Sequence, residues 1–397
     1  MLRTPTRARS AILWWEAVNI KNFIKGLPRR NITFVFLATL LGFSVGFIIL
    51  AVAGYNPFGA YGALFQGIFS KPKYMAEVVI KGTPIILTGI SFVVAHRSGW
   101  FNIGGEGQYI AGTIVATIVG SKLSLPPVLH FFVVVLAAVL AAALIGAFVA
   151  LLKIKFHVNE VIPCIMLNWI MLYLNNYLVS TPWLKKPGTE ASYEVLQSSW
   201  SVIAGAWKTS EAGRQQLASS KSPFSEMLLK TDLNYGILIA VVIAILIFFL
   251  YQKTLRGYNL RAVGANPSAA RLFGIRVERN RIAAFALSAA IAGLAGALTI
   301  TGTQPHRLTK LVASEGYGFA GIAVALIGAS PIGCIFSGLF YAMLTYGSAS
   351  IQSSTGVPSE IIDIVSGSII YFIAISTWFR KTILRTGRIK RKVVGNE

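Results

Sequence analysis

The 397-residue chain is 55% hydrophobic and only 13% charged, with a mean hydropathy of +0.66. Ordinary soluble domains carry about 25% charged residues, so a soluble enzyme is excluded and an all-α polytopic membrane protein is expected. The net charge of +22 would point to nucleic acid in a soluble chain, but here it must first be weighed against the enrichment of Lys and Arg in cytoplasmic loops.

Within residues 1–31, Leu13, Ala17, Ile20, Ile24 and Leu27 recur at alternating gaps of four and three, with Trp14 and Trp15 beside them. That pattern predicts a cytoplasmic interfacial helix on the inner leaflet. The apolar run from Asn31 to about Ala53 is followed by no small-residue cleavage pattern, so it reads as a retained span. A span needs about 20 apolar residues. On that basis ten are expected, at 32–54, 76–95, 102–120, 128–152, 158–180, 234–252, 281–302, 316–329, 332–350 and 359–379. The eighth is too short to cross unaided, and glycines and polar residues soften the edges of the third, eighth and ninth.

These spans make residues 32–379 the transmembrane domain. An N-terminus inside places Arg29, Arg30, Arg97, Lys153, Lys155, the arginines of the loop 253–280 and the basic tail 380–397 in the cytoplasm, satisfying the positive-inside rule. This bias accounts for most of the net charge, and the tail "RIKRKVV" is expected to meet anionic lipid rather than nucleic acid. The large outer loop, 181–233, is rich in Ser, Lys and Glu; short helices and a docking partner fit there, with a plain solvated loop as the default.

Several chemistries have no support. There is no G-x-x-x-x-G-K-[ST] phosphate loop, and no inner loop is long enough for a nucleotide-hydrolysing domain. The histidines (His96, His130, His157, His306) are scattered, and Cys164 and Cys334 lie in apolar runs, so neither a metal cluster nor a disulfide is expected.

Ionisable groups inside spans are costly and mark substrate or ion paths. The candidates are Glu106, Glu160, Glu315, Glu360 and Asp363. The last two and Glu160 lie near span ends, where a helix N-terminus or snorkelling accommodates a carboxylate. Glu106 is flanked by Gly104, Gly105 and Gly107, which permits a broken helix, although tight helix packing with Glu106 as a cap explains the same glycines. Glu106, Gly107, Ala111, Gly112, Val115, Ala116 and Ile118 match Glu315, Gly316, Ala320, Gly321, Val324, Ala325 and Ile327, each 209 residues later. These fall in the third and eighth spans, so a five-plus-five inverted repeat is expected, with broken helices near the midplane.

Six ordered blocks carry a resemblance: "GYNPFGAYGALFQGIF", "FNIGGEGQ", "KIKFHVNEVIPCIMLNWI", "LRGYNLRAVGANPSAARLFGI", "GYGFAGIAVALIGASPIG" and "GVPSEIIDIV". The chain resembles the permease subunit of an ABC importer of the simple-sugar and nucleoside (ribose/branched-chain amino acid permease) family. The Glu106-Gly107-Gln108 stretch is closer to the nucleoside branch than to the ribose branch, whose equivalent contains Asp. The outer loop 181–233 and "TGTQPHRLTKLVASEGYG" depart from the family's pattern.

The resemblance implies a bacterial cytoplasmic (inner) membrane protein with both termini inside. It further implies a second permease subunit, related or identical, an external substrate-binding protein, and a cytoplasmic ATPase subunit that carries the ATP and Mg. The chain itself is then no enzyme and binds no cofactor. Gly264, Asn266, Pro267, Ala270, Arg271 and Gly274 correspond to the ATPase-coupling motif. Pro267 can start a short helix with Asn266 as its N-cap, although a plain positive-inside connector would also carry the arginines. For substrate, the candidates are Asn102, Glu106, Gln108, Asn168, Trp169, Glu315, Tyr317 and Phe319, polar or aromatic residues of the two broken segments and the fifth span; for Asn168 and Trp169, helix packing is an equal reading. A nucleoside is the first expectation and ribose or another simple sugar the second. An ion-coupled transporter or a channel would share the buried carboxylates and lack the coupling helix.

Overall fold

A computed structural model describes residues 31–394 apart from Lys221, and the interfacial helix expected over residues 13–27 lies outside the described residues. Sixteen α-helices follow in chain order, starting with α1 (Asn31–Val52), α2 (Pro57–Phe69), α3 (Pro72–Arg97), α4 (Gly105–Lys122), α5 (Pro127–Phe156) and α6 (Val161–Ser180). The segment 181–233 holds α7 (Gly205–Thr209), α8 (Glu211–Ser219) and α9 (Pro223–Lys230). Then come α10 (Gly236–Lys253), α11 (Leu255–Ala265), α12 (Pro267–Leu272), α13 (Val277–Gly302), α14 (Tyr317–Gly328), α15 (Pro331–Thr355) and α16 (Ser359–Val394). Among the described residues there are only isolated β-bridges and no strand. Prolines open α2, α3, α5, α9, α12 and α15, where a missing N–H costs nothing.

Every segment expected to span falls on a helix. Among the described residues, seven helices are long and apolar enough to cross a membrane: α3, α5, α6, α10, α13, α15 and the Ser359–Ser376 part of α16. Two shorter apolar helices, Phe36–Val52 and α14, accompany them, and α4 is enclosed by its neighbours. Helix α16 runs on to Val394, beyond the expected end near 379.

The core is built on α3 and α13, whose side chains are buried along most of their length. They cross at Ser91 and Ser288, each hydroxyl donating to the other residue's carbonyl at 2.7 Å. Around this crossing, α13 packs against α4 and α5, while α3 packs against α14 and α15. Small residues permit the close approaches. Val134, Ala138, Ala142 and Gly146 form one buried stripe on α5, and a Cβ on Gly293 of α13 would fall 2.4 Å from the Ala142 Cβ. In hydrocarbon such stripes replace the hydrophobic effect as the source of helix association, through van der Waals contact. The opposite side of α5 exposes Leu129, Phe132, Leu136, Leu140 and Phe148, the composition lipid requires.

Matching glycines of the 209-residue echo occupy matching places. A Cβ on Gly112 of α4 would lie 2.3 Å from the Gly293 carbonyl oxygen on α13, and one on Gly321 of α14 would lie 2.5 Å from Thr88 Oγ1 on α3.

The segment 181–233, expected outside, is an ordered layer rather than a plain loop. Bridges join Ala191 to Thr309 and Val202 to Asn234, and Trp200 stacks on His306 with centroids 4.1 Å apart. Lys208 Nζ pairs with Asp232 at 2.9 Å, both largely buried, and Asp232 also accepts from the Gln304 amide at 3.1 Å. Glu190 pairs with Lys185 and Lys310. This layer therefore grips residues 304–310, the link between α13 and α14.

Candidate functional site

Helix α4 begins in the interior of the fold and the partly exposed start of α14 meets it there, and a helix start carries unpaired N–H groups and a partial positive charge. Glu106, in the first turn of α4, is 0% exposed and answers both needs at α14: it accepts from the Gly316 amide at 2.8 Å and the Gly318 amide at 2.6 Å. Its carboxylate thus lies between two helix N-termini, an arrangement that stabilises a buried negative charge. Glycine is required at both partners. Gly316 has φ +80°, in the left-handed region, and a Cβ on Gly318 would sit 2.2 Å from the Glu106 nitrogen.

A second network steadies the segment before α4. Asn102 Nδ2 donates to Gln108 Oε1 and to Ser288 Oγ, each at 2.8 Å, and Asn102 Oδ1 accepts from the Gly104 amide at 3.0 Å. Asn168 of α6 accepts from the Gly107 amide at 2.7 Å and donates to the Ile103 carbonyl at 3.1 Å. Asn102, Glu106, Gln108 and Asn168 are therefore one connected, buried set that ties α4 to α6, α13 and α14.

The other four expected substrate residues sit at the rim of this set. Glu315 and Phe319 are exposed, and Tyr317 is half-buried with its ring 5.2 Å from that of Tyr109. Trp169, one residue beyond Asn168, is 54% exposed. The structure thus brings all eight to one region and divides them into a satisfied interior and an open edge.

Two further features escaped the sequence reading. Tyr173 and Tyr177 follow Trp169 at four-residue spacing on α6, a pattern visible in the sequence once the fifth span is drawn as a helix. Lys81, exposed on an otherwise enclosed stretch of α3, holds its ammonium 5.2 Å from the centre of the Tyr346 ring, with Glu77 one turn before it. Among the described residues, no group of three or more His, Cys, Asp or Glu could hold a metal ion.

In the segment 253–280, the expected short helix is present as α12, with Pro267 in its first turn and Asn266 Oδ1 accepting from the Ala269 amide at 3.1 Å. Most of the remainder of 253–280 is also helical, in α11 and the start of α13. Ala270 is buried against Val263 and Val277, whereas Leu272 and Phe273 project at 88% and 86% exposure. Arg271 pairs with Glu278, and a recess of about 570 Å³ opens beside them, lined also by Gly274, Ile275, Arg276 and Arg279.

This segment touches the link that leads into α4. A Cβ on Gly264 would lie 2.1 Å from the Arg97 carbonyl oxygen. Buried Trp100, two residues before Asn102, is flanked by Lys153 Nζ at 4.9 Å and Arg281 Cζ at 5.2 Å from its ring centre, a pair of cation–π contacts. Lys153 in turn pairs with Glu160 at the start of α6.

Comparison with known proteins gives a consistent outcome. The chain is 35% identical over 360 residues to the guanosine ABC transporter permease protein NupP of Bacillus subtilis, covering 90% of this chain and 96% of the relative. It is 31% identical to the nucleoside ABC transporter permease protein NupB of Lactococcus lactis, over 87% of this chain and 91% of the relative. It is 29% identical to the glucose ABC transporter permease protein TsgB13 of Haloferax volcanii, over 87% of each chain. No solved structure matches at a significant level. Residues 74–374 match the family model described as branched-chain amino acid transport system / permease component. With that match over most of its length and a relative above 30% identity, the chain belongs to this permease-component family of ABC transporters.

Proposed function

We propose that the chain is the membrane permease subunit of an ATP-driven importer of nucleosides. The observation that carries this reading is the likeness to the guanosine permease over 96% of that relative's length. The permease works with a second permease subunit, a cytoplasmic ATPase that binds ATP and Mg, and an external substrate-binding protein. It lies in the cytoplasmic membrane with both termini inside.

The ten helices are read as a five-plus-five inverted repeat. Three relations support that reading: the reciprocal Ser91 and Ser288 bonds, the exchange of partners by which α4 packs on α13 and α14 on α3, and the equivalent packing of Gly112 and Gly321. A two-fold relation that exchanges α3 with α13 and α4 with α14 accounts for the exchange of partners, and in inverted-repeat transporters the broken helices of both halves meet near the midplane around the substrate.

Within the site, Asn102, Glu106, Gln108 and Asn168 position the broken segments, while Trp169, Glu315, Tyr317 and Phe319 face the substrate. Their accessible carboxylate, hydroxyl and rings suit ribose hydroxyls and a base. Helix α12 enters a groove on the ATPase with Leu272 and Phe273 at its tip, and Gly264, Asn266, Pro267, Ala270, Arg271 and Gly274 shape that lever. Motion there reaches the start of α4 through Gly264 and Trp100. The Haloferax relative keeps a simple-sugar importer as the second reading.

Uptake of labelled guanosine and labelled glucose into vesicles carrying the chain with its ATPase, second permease and binding protein tests the assignment. ATP-dependent guanosine uptake that excess glucose leaves unchanged is expected. ATP-dependent uptake of glucose alone would move the chain to the sugar reading, and ATP-independent flux would overturn the importer.

A further inference from the structure

The outward side of α6 carries an aromatic ladder. Trp169, Tyr173 and Tyr177 stand at 54%, 64% and 68% exposure, and the rings of Trp169 and Tyr173 are stacked, 6.1 Å apart and inclined by 26°. Residues four apart lie one above the other on a helix, so the three rings form a row parallel to the helix axis. Trp169 is the ninth of the 20 residues of α6. At a rise of about 1.5 Å per residue, it sits near the middle of the span, with Tyr173 about 6 Å and Tyr177 about 12 Å nearer the end at Ser180.

That depth is at odds with a lipid-facing role. Trp and Tyr collect at the two membrane interfaces, where the ring is in apolar surroundings and the N–H or O–H meets water. Trp169 and Tyr173 have no such partner at their depth, and among the described residues the hydroxyl of Tyr173 makes no hydrogen bond, while Tyr177 carries the row on toward the end of the helix. The contrast with α5 is direct: its exposed side is Leu, Val and Phe. The row also adjoins the candidate site. Asn168, beside Trp169, binds the Gly107 amide, and the next residue, Glu106, binds the Gly318 amide beside exposed Phe319. Farther along α6, Asn176 exchanges two hydrogen bonds of 2.8 Å with Leu311, which fixes the helix to the segment carrying Glu315.

We infer that Trp169, Tyr173 and Tyr177 line the substrate path as a stacking track for planar heterocyclic bases, leading from the outer end of α6 to Trp169 and Phe319. This rests on the nucleoside reading above and deepens it. Every base presents a π face, so stacking on successive aromatic rings is tolerant of base identity, and the phenol hydroxyls supply polar partners for water or ribose along the way. A sugar without a base gains little from such a row.

The test uses the complete transporter in proteoliposomes with guanosine as the probe. Trp169→Leu and Tyr173→Leu are expected to raise the apparent KM for guanosine uptake about tenfold, and Tyr173→Phe, which keeps the ring, to recover most of that loss. A cysteine at position 177 (Tyr177→Cys) is expected to react with a membrane-impermeant thiol reagent and to be protected by saturating guanosine. The native Cys164 and Cys334 are buried and provide a low background. A cysteine that never reacts places the row against lipid or another chain, one that guanosine fails to protect places it outside the path, and leucine variants with unchanged KM remove the stacking; each overturns the track. If the unaltered complex fails to accumulate guanosine at all, the nucleoside reading falls first and the track with it.

Discussion

A carboxylate buried in a membrane protein is tolerated only where fixed donors replace water. Glu106 has two, the amides of Gly316 and Gly318, and one helix start on either side. A glutamine in its place keeps the shape, but its NH2 group faces one of those amides, donor against donor. Glu106→Gln is therefore expected to destabilise the solubilised protein by about 1–3 kcal/mol, read as a lower thermal midpoint, and to reduce uptake. Unchanged stability and uptake would show that the two amide bonds do not hold the α14 start.

Glu190 in the outer layer tests electrostatics at an exposed position. Its hydrogen bonds to Lys310 and Lys185 lower its carboxyl from the ordinary 4.5 to about 2. A depressed folded pKa contributes stability that is complete above the unfolded value near 4.5 and is lost as pH falls through about 2. Hydrogen-exchange protection over residues 184–195, taken relative to the acid-slowed intrinsic rate, should thus fall between pH 4.5 and about 2 in the unaltered protein. Glu190→Gln should show the reduced protection already at neutral pH. Added salt should shrink the difference, because the pairs are exposed.

At the scale of elements, the N-cap of α12 was legible in the sequence. Capping chemistry is local: Asn then Pro, with the third residue's amide waiting for the Asn oxygen, is settled within four positions. Asn266→Ala should cost about 1 kcal/mol of local helix stability and lower ATP-driven uptake, while Asn266→Asp retains it. The paired readouts are ATP hydrolysis and uptake in the same vesicles; hydrolysis without uptake is the expected signature of a loosened lever, and full coupling in the alanine variant would end the coupling role. The spans were legible for a similar reason, since a run of apolar residues reports its own burial. The outer segment was less so. Its order comes from Asp232 reaching Gln304 and Ala191 bridging Thr309, contacts across more than 70 residues that no local pattern announces.

For the whole molecule, the orientation proposed from the basic residues predicts a labelling pattern. Phe273→Cys, at the exposed tip after α12, should react only with reagent on the cytoplasmic side, and Glu211→Cys, at the start of α8, only from outside. The reverse pattern would invert the chain and place the expected lever away from any ATPase.

Hydropathy and local motifs by themselves determined that this is a helical membrane protein, where its long apolar helices run and which short helix caps itself, because each of those properties is stored within a few turns of chain. The helix Pro57–Phe69 and the extension of α16 to Val394 were not among the expected spans. The motif echo also pointed to Glu106 and Glu315 as related positions. What only the tertiary structure decided is how the polar residues are used. Glu106 meets amides 210 and 212 positions away, Asn102 meets Ser288, and Asn168 meets Gly107, leaving Trp169, Glu315 and Phe319 at the open edge. Partner choice for a buried polar group depends on which helices lie within about 3 Å, and that is a property of their packing rather than of any segment alone.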